Sequence, residues 1–215
     1  MILEGFIQSA AEGVVMATRF LYLVRHGNYN AYVTIEDDLG GPLTALGEQQ
    51  AVYTGQYLSQ QPIRHIYTSV LRRAAQTTEV ISKFMPNIPV SEREDLREVT
   101  PGIPARLEDN FAERFPEMTS DRLRAGQDRA DAAFSAFFQP PAQPDTEDEV
   151  HDVLVCHGNL IRYLICRTLN VSGSAWGNMI IHQGSISRIM IDDADGIYLM
   201  TFNEVVHMPP DIWVY

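Results

Sequence analysis

The sequence is short of cysteine, of basic residues and of long apolar runs. Only Cys156 and Cys166 occur in 215 residues. Both fall in apolar segments, so they read as small core residues rather than a disulfide framework. That points to a reducing, cytoplasmic compartment. No CxxC or HExxH spacing is present, so neither a metal nor another cofactor is expected. Met1 to Ala17 is mildly apolar, but Glu4 and Glu12 interrupt it and no basic stretch precedes it. This argues against a signal peptide, a membrane span or a membrane partner. Lysine and arginine number 16 against 28 acidic residues, giving a net charge of −12. So acidic a chain is not expected to take nucleic acid or an anionic membrane as its main partner.

What remains is an ordinary globular composition, 45% hydrophobic, over a length that suits one α/β domain. Residues 1–18 read as an N-terminal extension, either dispensable or a small docking helix through Phe6, Ile7 and Val14. Residues 19–215 read as the domain itself. Within it one short stretch occurs twice: Leu21-Tyr22-Leu23-Val24-Arg25-His26-Gly27-Asn28, and Val153-Leu154-Val155-Cys156-His157-Gly158-Asn159. Each is an unbroken apolar run ending in His-Gly-Asn. A run without alternation suits a strand buried on both faces, as in a parallel sheet. Ligands of open α/β sheets bind beyond the carboxyl ends of the strands. Both histidines are therefore expected at one rim beside Arg25, and two imidazoles with a guanidinium point to a phosphate site.

In chain order, a strand at Phe20–Val24 leads into an irregular loop, Tyr29 to Gly41. Thr44 caps a helix that ends before Pro62. Ile63–Thr68 is a short strand, followed by Ser69 and a helix over about 71–84, and another short strand lies near Val90. Helical patterns recur at about 106–115 and 121–138. Residues 139–149 form a Pro-rich acidic surface loop. Leu160, Ile161, Leu164, Ile165 and Leu169 mark a helix after the second His-Gly-Asn. Ser185–Ile191 and Ile197–Phe202 form a hairpin about Asp192–Gly196. The tail, Met208 to Tyr215, is too apolar for free solvent; it packs on the domain or on a partner, and a homodimer is one such partner. The alternation predicts a three-layer α/β/α sandwich with a mostly parallel central sheet and helices on both faces. A helical insertion at about 99–149 is expected to sit over the carboxyl rim as a partial lid.

The residues also carry a family resemblance. Leu23-Val24-Arg25-His26-Gly27 resembles the RHG signature of the histidine phosphatase (phosphoglycerate mutase-like) superfamily. Leu43-Thr44-Ala45-Leu46-Gly47-Glu48-Gln49-Gln50-Ala51 resembles its LTxxGxxQA helix start. Thr68 to Thr77 resembles its SSxLxRAxQT segment, which makes Arg73 rather than Arg72 the matching arginine. Val155-Cys156-His157-Gly158-Asn159 resembles its second-histidine strand. The four pieces fall in family order over roughly residues 19–205. Cys156 to Tyr163, Gly184-Ser185-Ile186 and Met208-Pro209-Pro210-Asp211 further resemble segments of the phosphoglycerate mutase-like protein Ser/Thr phosphatases.

The resemblance implies a metal-independent phosphomonoesterase, with His26 the nucleophile of a phosphohistidine intermediate. It makes Arg25, Arg73 and His157 the holders of the phosphoryl oxygens, with Asn28 and the Gly158 backbone completing the cradle. Glu98 is implied as general acid and then base, with Asp95, Glu94 and Glu108 as rivals. His65, His151, His182 and His207 read as structural, Arg72 as a surface residue, and Ser69 as a turn residue. Gln183-Gly184-Ser185 either approaches the phosphate through its backbone or simply starts a strand. The stretch after RHG lacks the long Trp- and Asn-bearing segment of the mutases, which disfavours mutase activity. The expected substrate is a phosphate ester: a phosphoserine or phosphothreonine protein, or else a small phosphometabolite. The same residues leave room for a phosphoglycerate mutase-type phosphotransferase or a non-catalytic phosphate-binding module.

Overall fold

The computed structural model of the chain describes residues 18–32, 38–141, 149–192 and 196–215. The expected N-terminal docking helix, most of the Pro-rich acidic loop, part of the loop after the first His-Gly-Asn and the hairpin's turn lie outside them.

Six strands form one sheet: β1 (Thr18–Arg25), β2 (His65–Ser69), β3 (Val90–Arg93), β4 (Glu149–Cys156), β5 (Ile186–Asp192) and β6 (Gly196–Glu204). Their spatial order is β3-β2-β4-β1-β5-β6. The first four strands in that row pair in parallel, and β5 and β6 add an antiparallel hairpin at one edge. The two apolar runs are the central neighbours β1 and β4, buried on both faces as their lack of alternation required.

Successive side chains of β1 point to opposite faces. Leu21 and Leu23 join Leu154, Cys156 and Ile189 under α4 (Ser120–Phe137) and α5 (Gly158–Thr168). Tyr22 and Val24 join Val153, Val155 and Ile66 under α1 (Ala45–Leu58) and α2 (Arg72–Ser82). These are the three layers expected of the sequence. Thr44 caps α1, its side chain accepting from Gly47 N–H at 3.1 Å.

The expected helix over about 106–115 is broken into a 3-10 turn, Ala105–Leu107, and a four-residue α3, Phe111–Arg114. The interruption lies at Asn110, whose backbone leaves the helical region at φ −134° and ψ 11°. The insertion does two jobs. Ala130, Ala133 and Phe137 of α4 lie in the core, so that half of the helix belongs to a layer. Residues from Thr100 to Met118 instead face the start of α5 at the carboxyl rim. A further 3-10 stretch, Gly173–Asn178, carries the buried Trp176. The tail packs on its own domain: Ile212 is buried, and Val214 C=O accepts from Gln183 N–H at 2.8 Å. Among the described residues no helix is long and apolar enough to cross a membrane.

Candidate active site

Parallel pairing puts Arg25 opposite Cys156, so the next residue of each strand leaves the sheet at the same height. Those residues are His26 and His157. The His26 N–H donates to Cys156 C=O at 3.0 Å, and the two ring centroids lie 5.1 Å apart. Both rings are closed off from solvent, at 1% and 0% exposure.

Arg73, in the first turn of α2, donates Nε–H to His26 Nε2 at 3.0 Å. A nitrogen that accepts carries no proton, so the ring proton sits on Nδ1, which donates to Gly27 C=O at 2.7 Å. Burial, then the charges of Arg73 and Arg25, push the His26 pKa well below its ordinary value. The ring is thus a neutral imidazole whose Nε2 lone pair faces the arginines. His157 is also pushed down, by burial first and then by His26, Arg73 and Arg25. Its Nε2 lies 2.8 Å from Ser69 Oγ, and its Nδ1 finds no hydrogen-bond partner among the described residues.

Arg25 donates from Nη1 to Ile181 C=O, while its buried Nε meets no acceptor among the described residues. Burial lowers its pKa to about 10, with Arg162 and Arg73 adding to the effect and Glu98 opposing it. Gly158 backs the guanidinium: a Cβ there would stand 3.2 Å from Arg25 Nε. Asn28 is pinned on both sides of its amide, donating to Gln183 Oε1 at 2.7 Å and accepting from Thr44 Oγ1 at 2.6 Å. The turn itself is packed backbone to backbone. A Cβ on Gly27 would meet Gly47 C=O at 2.4 Å, which no side chain could relieve.

Glu98 Oε1 accepts from Asn159 N–H at 3.2 Å and Leu160 N–H at 3.3 Å, at the start of α5 and beside His157. Burial raises its pKa, against the opposing pull of Arg73, the Val99 N–H and Arg25. Its rivals are elsewhere. Asp95 pairs with Arg93 at 2.6 Å, Glu94 with Arg97 at 3.4 Å, and Glu108 is exposed.

One neighbour carried no sequence signal, and two others do more than the sequence suggested. Tyr29 lies under the Arg73 guanidinium, 4.6 Å from its ring centroid, and edge-on to His26 at 5.1 Å. Ser69 holds His157 as well as making its turn, where it accepts from Leu71 N–H. Gln183 reaches the site through its side chain, and the backbone beside it also approaches, with Gly184 N–H donating to Arg25 C=O at 3.0 Å. Of the remaining histidines, His65 meets Ser91, His151 meets Tyr22 and Glu149, His182 meets Asn203, and His207 meets Gly184 C=O. Arg72 is half-buried and donates to Gly40 C=O.

A buried neutral imidazole with two arginines and a second histidine around it, at the carboxyl rim of a three-layer sandwich, defines a class. Residues 21–204 match the model of the histidine phosphatase superfamily (branch 1), and the chain belongs to that family.

Among individual proteins, the chain is 35% identical over 197 residues to the serine/threonine-protein phosphatase PGAM5, mitochondrial, of Xenopus tropicalis. That match covers 91% of this chain and 68% of the relative. A solved phosphoglycerate mutase from Plasmodium falciparum is 26% identical with a TM-score of 0.59, over 90% of this chain and 95% of that one. Bacillus stearothermophilus YhfR, 23% identical over 88% of this chain and 98% of that one, shares the fold at a TM-score of 0.67. The frog relative, like those of rat, mouse and human, is named as mitochondrial. These names overturn the cytoplasmic placement expected from the cysteines. Buried thiols report only a reducing environment, and nothing in them distinguishes one such compartment from another.

Proposed function

We propose that the chain is a metal-independent phosphomonoesterase that works through a phosphohistidine on His26, with phosphoserine and phosphothreonine proteins as substrates. The observation that carries the reading is the His26 ring, held neutral with Nε2 toward Arg73. Arg25 and Arg73 take the phosphoryl oxygens, with forked donors that suit the anion. His157 adds a further contact, and Asn28 and the Gly158 backbone close the cradle. The fixed cations supply the charge stabilisation that a metal gives other phosphatases. In the first step the Arg73 Nε–H turns from the imidazole to a phosphoryl oxygen, which frees Nε2. The Nε2 lone pair attacks phosphorus, the ester P–O bond breaks, and Glu98 protonates the departing oxygen. In the second step Glu98 takes a proton from water, water attacks phosphorus, and the P–N bond breaks to restore His26. The substrate class rests on the names of the relatives, which are serine/threonine-protein phosphatases.

The test is phosphate release from a phosphothreonine peptide, 3-phosphoglycerate and p-nitrophenyl phosphate with EDTA present, quenched to trap an acid-labile phosphoryl-enzyme. Wild type should turn over and trap phosphate, and His26→Ala should do neither. Turnover by His26→Ala, or its loss on adding EDTA, would sink the mechanism.

A further inference from the structure

Beside the phosphate cradle lies an open cleft of about 530 Å³. Arg25, Arg106 and Arg162 line it together with Ile180, Ile181 and Tyr215. None of its lining residues is acidic. In a chain of net charge −12, three guanidiniums in one cleft with no acidic side chain lining it are a local reversal of sign. Among the described residues neither Arg106 nor Arg162 is ion-paired.

Both side chains are held in place by neutral groups. Arg162 donates from Nε to Gly158 C=O at 3.1 Å and from Nη1 to Met179 C=O at 3.0 Å. It also donates to Asn159 Oδ1 and stands over the Trp176 ring, 5.1 Å from its centroid. Arg106 is tied by Nε to Gly177 C=O at 2.8 Å. Carbonyls and an indole face orient a guanidinium without cancelling its charge. Gly158 joins the two regions, since its carbonyl receives Arg162 while its Cα side abuts Arg25. The cleft therefore opens directly beside the phosphate position.

We propose that Arg106 and Arg162 form a second anionic subsite, which selects phosphomonoesters carrying another negative group next to the phosphate. An Asp or Glu flanking the phosphorylated residue of a protein would supply that group, and so would the carboxylate of a small phosphometabolite. The inference deepens the phosphatase reading above and rests on it. Neither arginine takes part in the transfer step, so the subsite acts on substrate choice alone.

The experiment compares kcat/KM for matched phosphothreonine peptides with Glu or Ala on either side of the phosphorylated residue, with 3-phosphoglycerate and p-nitrophenyl phosphate alongside. Wild type, Arg106→Gln and Arg162→Gln are assayed. Wild type should favour one acid-flanked peptide, or 3-phosphoglycerate, over the neutral peptide by about tenfold, the worth of one charge-assisted contact. Each variant should lose that preference, and Arg106→Gln should do so while keeping its rate on p-nitrophenyl phosphate. Whichever of the two anionic substrates shows the arginine-dependent preference identifies the source of the second charge. Equal rates on acidic and neutral substrates, or a preference that survives both substitutions, would overturn the subsite. Arg106 is exposed and outside the core, so Arg106→Gln answers the question even if Arg162→Gln unfolds. Wild type inactive on every substrate would instead strike at the phosphatase reading, and the subsite would fall with it.

Discussion

His26 and Glu98 have pKa values moved toward each other, one lowered and one raised, by the same burial. A nucleophilic imidazole must be neutral, and a lowered pKa keeps it so below the usual 6.5. A general acid must be protonated, and a raised pKa keeps part of it so above the usual 4.5. With an alkyl phosphate, kcat/KM should therefore rise as pH falls from 7.5 toward 6. Glu98→Gln should flatten that slope. It should also slow alkyl phosphates by about a hundredfold or more while costing p-nitrophenyl phosphate far less. Equal losses on the two esters would remove Glu98 from the acid's role. At this scale the sequence is informative where residues recur in a pattern. The twin His-Gly-Asn runs place His26 and His157 side by side from spacing alone. Tyr29 reaches the site only through tertiary contacts, which no local spacing encodes, and the side-chain roles of Ser69 and Gln183 are set the same way.

Among the elements, the start of α1 couples local stability to site geometry through one hydroxyl. Thr44 Oγ1 accepts from Gly47 N–H and donates to Asn28 Oδ1. Thr44→Ala should lower unfolding free energy by about 1 kcal/mol, the usual worth of such a cap, as read by urea denaturation. It should also raise KM several-fold, because Asn28 loses one of its two anchors. Thr44→Ser keeps the hydroxyl and should restore both values; a KM unmoved by Thr44→Ala would cut this link. Strands, caps and the edge hairpin are legible here because apolar runs and Thr44 are local signals. The stretch about 106–115 has the periodicity of a regular helix, yet Asn110 leaves the helical backbone region and splits it. The insertion expected as a lid contains α4, whose Ala130, Ala133 and Phe137 stripe serves a core layer. Helical spacing names an apolar face without naming the surface it meets.

For the molecule as a whole, burial of neutral histidine links stability to acidity. His26, His157 and His207 all have lowered pKa values in the folded protein. Below about 6.5 the unfolded chain binds protons that the folded chain refuses, so stability falls as pH falls. For His26 and His157 the loss approaches about 1.4 kcal/mol per pH unit each until they protonate in the fold. The raised pKa values of Glu98 and Asp152 act the other way, returning stability as those groups protonate. The thermal midpoint should drop between pH 7.0 and 5.5 and drop less in His207→Asn; a midpoint flat over that range would contradict the burial of neutral rings. The sheet order has a further consequence. β1 and β4 lie at opposite ends of the first three-quarters of the chain yet must pair directly before the two histidines meet. During synthesis, a nascent polypeptide that has not yet released β4 from the ribosome holds half a site.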